Sequence, residues 1–215
     1  MNRILLINPN TSQQTTNMMH RLASAGLPDG NVIIPLTAPR GEAMIVNETQ
    51  LKASVEIVVE MGRANAADVD AIIVSAFGDP GVELLRDSVN IPVLGICEAS
   101  MIEAAAGKRR FGIATVTPDL ARAFSRKASS LQLGDLFVGT RLTEGDPVEL
   151  SSDAGRLRAA LLDAARDCFE IDRAEAVIVG GGPLSDAAVY LAGKFHMPII
   201  APISAAVRQV LQMLP

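Results

Sequence analysis

Short β-branched runs that break into glycine, proline or asparagine recur along the chain and set its frame. Ala71-Ile-Ile-Val-Ser-Ala-Phe-Gly-Asp-Pro80 reads as a buried strand running straight into a tight polar loop. Pro80 suits the first turn of a helix and Asp79 its N-cap, which predicts a helix over 79–88. Ala176-Val-Ile-Val-Gly-Gly-Gly-Pro183 repeats the plan. Each copy leads through a helix to a strand opened by proline, Ile91-Pro-Val-Leu-Gly95 and Met197-Pro-Ile-Ile200. The opening Ile4-Leu-Leu-Ile-Asn-Pro-Asn-Thr-Ser12 has its counterpart in Phe111-Gly-Ile-Ala-Thr-Val-Thr-Pro118. Pairing Asn8 with Thr115, Ser75 with Gly180 and Pro92 with Pro198 gives separations of 107, 105 and 106 residues. Spacing this even predicts two similar halves.

Helical patterns fill the intervals. Thr11 or Ser12 caps a helix to about residue 25, and a long one covers 48–66 with Leu51, Val55, Ile57, Val58 and Met61 apolar. Others are expected over 98–106, 118–131, 152–169, 185–194 and 203–214, with further strands at 32–36, 93–96 and 136–138. Strands alternating with helices give an α/β fold of two pseudo-symmetric lobes, each a mainly parallel four-stranded sheet flanked by helices. Residues 1–97 with 201–215 would form the N-terminal lobe and 98–200 the C-terminal lobe. Ligands of such sheets sit at the carboxyl ends of the strands, here in the cleft between the lobes.

Composition narrows the partners. The chain has 215 residues and is 49% hydrophobic, with six Phe, one Tyr and no Trp, so its core is aliphatic and no aromatic platform for nucleic acid is visible. A net charge of −5 with interspersed signs points away from nucleic acid and from anionic membranes. Lys108-Arg-Arg110, the one basic cluster, reads as a solvated turn. No signal-like or membrane-length apolar run occurs, and a cytoplasmic location is expected. Cys97 and Cys168 are too isolated for a disulfide framework, His20 and His196 have no metal-ligand companion, and Gly180-Gly-Gly182 lacks dinucleotide spacing. No metal or cofactor is expected.

Asn8-Pro-Asn-Thr-Ser12, Phe77-Gly-Asp-Pro-Gly81, Pro92-Val-Leu-Gly-Ile-x-Glu-Ala99 and Thr115-Val-Thr117, in that order, resemble the hydantoin racemase branch of the aspartate/glutamate/hydantoin racemase superfamily. The resemblance spans nearly the whole chain. It implies a cofactor-free cleft enzyme, a homo-oligomer, and two cysteines facing each other across a bound substrate. Both cysteines are missing here: Ala76 stands in the place of the first and Gly182 in that of the second. The resemblance also implies that Asn8, Ser12, Thr115, Thr117 and the amides of Ala76, Phe77 and Gly78 and of Gly181, Gly182, Pro183 and Leu184 line a substrate pocket. Glycine turns that aim N–H groups at an anion give the same expectation from physical chemistry.

An acid, a base or an activated water must still come from somewhere. Glu98, Asp79 and Ser75 are the catalytic candidates, and each has a structural alternative: a helix first-turn acid, an N-cap and a core hydrogen bond. Cys97 is either a displaced base or a buried packing residue, and Cys168 is packing. The expected activity is hydrolytic opening of a small lactone, lactam or ureide ring. The alternatives are racemisation, isomerisation or decarboxylation with other acid/base residues, or binding of a small metabolite without turnover.

Overall fold

The computed structural model describes residues 1–214. Its strands and helices run β1 (Asn2–Asn8), α1 (Gln13–Ser24), β2 (Asn31–Thr37), α2 (Glu48–Asn65), β3 (Ala71–Val74), α3 (Val82–Arg86), β4 (Val93–Gly95), α4 (Ile96–Ala104), β5 (Phe111–Thr115), α5 (Ala121–Ser130), β6 (Phe137–Leu142), α6 (Pro147–Ser152), α7 (Ala154–Glu170), β7 (Ala176–Val179), α8 (Ser185–Ala192), β8 (Ile199–Ile200) and α9 (Pro202–Met213). Two four-stranded sheets result, ordered β2-β1-β3-β4 and β6-β5-β7-β8, with every pairing parallel. Strands β3 and β7 are buried at every residue, as apolar runs covered by helices on both faces must be.

Outer clusters coat each sheet: Leu5, Ile57, Val58 and Ile72 on the first lobe, and Leu161, Ala165, Cys168 and Val177 on the second. A third cluster is common to both. Ile4 and Leu6 of β1, Met101 of α4, Phe111 of β5, Ile178 of β7 and Val210 of α9 belong to one apolar body between the sheets. Burial of this shared face holds the lobes together, and α9 returns from the second sheet to pack on α4 and α1.

Several elements differ from the sequence reading. The helix expected over 79–88 shrinks to Val82–Arg86, because Gly81 takes the N-cap position with φ 75° and Asp79 is committed elsewhere. Strand β6 lies at Phe137–Leu142, later than 136–138, and α6 was not foreseen. Ile96, expected to end the fourth strand, begins α4. The expected basic cluster is tied down locally: the Arg109 guanidinium donates to the carbonyls of Glu103 and Ala104, and that of Arg110 to those of Asp172 and Arg173. No helix among the described residues is long and apolar enough to cross a membrane.

Candidate active site

The loops after β1, β3, β5 and β7 meet at the carboxyl ends of the two sheets around a small cavity that opens to solvent. Of the residues expected in a site, Ser75, Ala76, Phe77, Thr115, Thr117, Gly181, Gly182, Pro183 and Leu184 all border it. Register explains why two loops so far apart in sequence are equivalent. Ser75 N–H donates to Ile7 of β1 and Gly180 N–H to Ala114 of β5, each continuing the central pairing by one residue. Ala76 therefore corresponds to Gly181, one position earlier than the Gly182 taken from the sequence.

Neither glycine has room for a thiol. A Cβ on Gly182 would lie 2.6 Å from the Ser75 carbonyl oxygen, and Gly181 has φ 155° with Leu184 packed against it. What the loops present instead is backbone. The N–H groups of Ala76, Phe77, Gly181 and Gly182 have no hydrogen-bond partner among the described residues, and all four residues border the cavity. Thr115 donates to Gly180 O at 2.8 Å, which leaves Thr117, 3.2 Å away, to donate to Thr115 or to a ligand. Ser75 Oγ spends its proton on Ile7 O at 2.7 Å and keeps only acceptor capacity.

Asn8 and Ser12 do not reach the cavity. The Asn8 amide is consumed by Asn10 Oδ1, Thr16 Oγ1 and the Ser12 carbonyl, and Ser12 caps α1 by accepting Thr15 N–H. Their effect is indirect. They hold the Asn10 side-chain oxygen Oδ1, which accepts from the Asn8 side-chain NH2 and from Ser12 N–H, so the Asn10 NH2 is left as a free donor at the cavity wall. Asn10 was missed, although it lies inside the quoted motif; the signal was that two asparagines two apart can satisfy each other through only one end of each amide.

Asp79 and Glu98, expected as acid or base, are turned away from the cavity and built into the scaffold. Asp79 accepts Cys97 N–H and Glu98 N–H at 2.8 Å each, so it caps α4, not the helix that follows it in sequence. Gly95 makes the approach possible, since a Cβ there would lie 2.1 Å from the Asp79 carboxyl carbon. Lys127 of α5, in the other lobe, places Nζ 3.5 Å from Asp79 and 3.6 Å from Glu83. Burial pushes the Asp79 carboxyl up to about 7; Lys127 and the two backbone donors oppose the shift, and Glu98 adds to it. Glu98 itself accepts Gly95 N–H at 3.1 Å and Arg86 Nη2 at 2.6 Å.

Gly78 and Cys97 belong to this buried cluster too. The Gly78 N–H faces the Cys97 thiol, whose acidity is suppressed first by burial and then by Asp79, so Cys97 is a poor proton carrier. Cys168 is likewise buried, its thiol pushed up to about 12. No three His, Cys, Asp or Glu side chains among the described residues cluster as metal ligands would.

The rest of the cavity is apolar. Phe77 meets Phe124 of α5 edge-on, with centroids 4.9 Å apart and planes at 78°, across the lobe boundary. Leu120, Leu51 of α2 and Met44 and Ile45 of the β2–α2 loop complete the wall. None of the lining residues carries an ionisable side chain.

The Asp/Glu/Hydantoin racemase family profile matches residues 4–210. A hydantoin racemase of Paenarthrobacter aurescens is 25% identical over 208 residues, covering 96% of this chain and 88% of the relative. The structure of an allantoin racemase from Klebsiella pneumoniae superposes with a TM-score of 0.93 at 25% identity, covering 99% of this chain and 87% of that one. Unliganded arylmalonate decarboxylase shares the fold with a TM-score of 0.70 at 17% identity, covering 99% and 92% of the two chains.

Proposed function

The chain belongs to the Asp/Glu/hydantoin racemase family, and we propose that it interconverts the enantiomers of a small carbonyl compound through an enolate held by backbone donors, without a catalytic thiol. One observation carries the reading: unpaired N–H groups from two pseudo-symmetric loops, Ala76 with Phe77 and Gly181 with Gly182, border one cavity that contains no ionisable side chain. When the C–H bond next to a carbonyl breaks, its electron pair moves onto the carbonyl oxygen. Fixed donors aimed at that oxygen stabilise the developing charge more than they stabilise the neutral ground state. The proton passes to a water molecule, and a proton from water returns to the opposite face. Thr117 and the Asn10 NH2 are placed to hold that water or the substrate's second oxygen.

Ring opening by water, the activity expected from sequence, has less support. Glu98 and Asp79, the acids expected to assist it, are occupied in capping α4. Racemase relatives favour chemistry at carbon as well. Decarboxylation is the second reading, favoured by the uncharged lining: loss of carbon dioxide produces the same enolate without any base, and only one protonation remains.

Polarimetry on a single enantiomer of a 5-substituted hydantoin tests the proposal. Optical rotation should decay to zero with no change in mass. A stable rotation, or a product heavier by one water, contradicts it.

A further inference from the structure

We infer that Lys127 is a positioning residue: from the second lobe its ammonium group fixes the Asp79 carboxylate, and through it the turn of the first lobe that presents the Ala76 and Phe77 N–H groups. Its effect on turnover rests on the proposed enolate chemistry; its effect on the turn does not. Residues 76–79 form a closed turn, with Asp79 N–H donating to Ala76 O at 3.0 Å. Gly78 and Asp79 both have positive φ, 124° and 54°. That backbone is strained for aspartate and persists where its surroundings hold it. Three groups do so here. The carboxylate accepts Cys97 N–H and Glu98 N–H at the start of α4, and Lys127 Nζ lies 3.5 Å from it.

Only the third of these comes from the other lobe. Among the ion pairs of the described residues Lys127 is the most buried cation, its side chain 12% exposed against 34% or more for the rest. Phe124, one turn earlier on α5, meets Phe77 edge-on, so α5 holds the turn by a ring at one point and by an ammonium group at another. Glu83, the second acid beside Lys127, is largely exposed, whereas Asp79 is enclosed. Desolvation offsets much of what a buried ion pair adds to stability, and its consequence here is geometric.

Charge separates this role from packing. Burial raises the Asp79 carboxyl to about 7; Lys127 and the two amides oppose the shift, and Glu98, itself paired with Arg86, adds to it. Burial works against the Lys127 charge too, but Asp79, Glu98, Cys97 and Glu83 outweigh it, so Lys127 stays cationic. Below about pH 7 Asp79 is neutral in the closed turn and needs no cation. Above it the carboxylate is ionised, and without Lys127 the turn opens more readily to hydrate it.

Hydrogen–deuterium exchange of the Asp79, Cys97 and Glu98 amides, corrected for the intrinsic effect of pH, reads the turn without any substrate. Wild type and Lys127→Met should be equally protected at about pH 6, and at about pH 8.5 the variant should be protected about tenfold less, the equivalent of one pKa unit. Lys127→Gln, with a polar tip, should behave as Lys127→Met does. In an Asp79→Asn background the same substitutions should change nothing at either pH. A loss equal at both pH values, a loss that persists beside Asn at position 79, or full protection at the higher pH would overturn the inference. In parallel, kcat for racemisation of 5-benzylhydantoin by Lys127→Met should match wild type at the lower pH and fall about threefold or more at the higher, because the donors are misaimed. An unchanged kcat with a loosened turn would also overturn it. Absence of racemisation in wild type would refute the enolate reaction, and amide exchange would still decide whether Lys127 holds the turn.

Discussion

At the two loop positions related by the internal repeat, Ala76 and Gly181, a side chain is tolerated on one side of the cleft and not on the other. Ala76 is half-buried at the cavity; position 181 has a glycine-only φ, and a Cβ on the next residue would lie 2.6 Å from the Ser75 carbonyl oxygen. Ala76→Cys should therefore fold with a stability within about 0.5 kcal/mol of wild type. Gly182→Ala should lose about 1–3 kcal/mol, since backbone at 2.6 Å has to move, and both should be readable from urea midpoints. A stable Gly182→Ala protein would mean that the loops are not pressed together as described. Part of this scale was legible: the loop residues after β3 and β7 and Thr115 and Thr117, expected together from pattern and resemblance, border one cavity. The roles of Glu98 and Asp79 were not, because a carboxylate that caps a helix starting 17 residues further along looks in sequence like any acid beside a strand end. Asn8 and Ser12 were assigned to substrate from the resemblance, and the side chain that lines the cavity is that of Asn10 between them.

Among the elements, α4 is the joint, packed between the lobes with its N-terminus held by a carboxylate from the β3–α3 loop. The groups facing Asp79 are Lys127 across the lobe boundary, Glu98 and Cys97 on α4, and Glu83 beyond Lys127. The folded chain holds the Asp79 proton more tightly than the unfolded chain does. Its contribution to stability is complete below the ordinary value of 3.8 and is lost as pH rises through about 7. Asp79→Asn should lower stability by about 1 kcal/mol through the weakened cap and flatten the pH dependence between those limits. Lys127→Met removes the cation that opposes the shift, so the loss should move to higher pH. Urea midpoints measured across that range would show both, and an undiminished slope in Asp79→Asn would assign the effect to another group. The strand–helix alternation behind these elements was readable from short apolar runs. The six-residue α6 escaped although Asp146-Pro147 carries an N-cap and first-turn proline signal, because no apolar periodicity accompanies it.

For the whole molecule, the repeat of about 106 residues predicted two lobes, and two matching parallel sheets are present. Periodicity could not disclose that they share a core. Which face of α4 or α9 meets which sheet is set by long-range packing, and the shared cluster draws on both halves. Heat or urea should therefore unfold the chain in one transition, with far-ultraviolet circular dichroism and fluorescence of its one Tyr coincident; two separated transitions would show independent lobes. The apolar wall of the cavity was also hidden from sequence, since it is assembled from the β2–α2 loop, α2 and α5, none of which carries a recognisable motif.

The central claim is an enolate stabilised by backbone donors, and solvent hydrogen exchange reads it most directly. A 5-substituted hydantoin incubated with the protein in deuterated water should gain deuterium at the ring carbon beside the carbonyl, monitored by proton NMR at a pH where the uncatalysed exchange is slow. Thr117→Val and Asn10→Ala should each slow that exchange by about tenfold or more while 5-benzylhydantoin still binds. Exchange no faster than in buffer, with the substrate bound, would contradict the account.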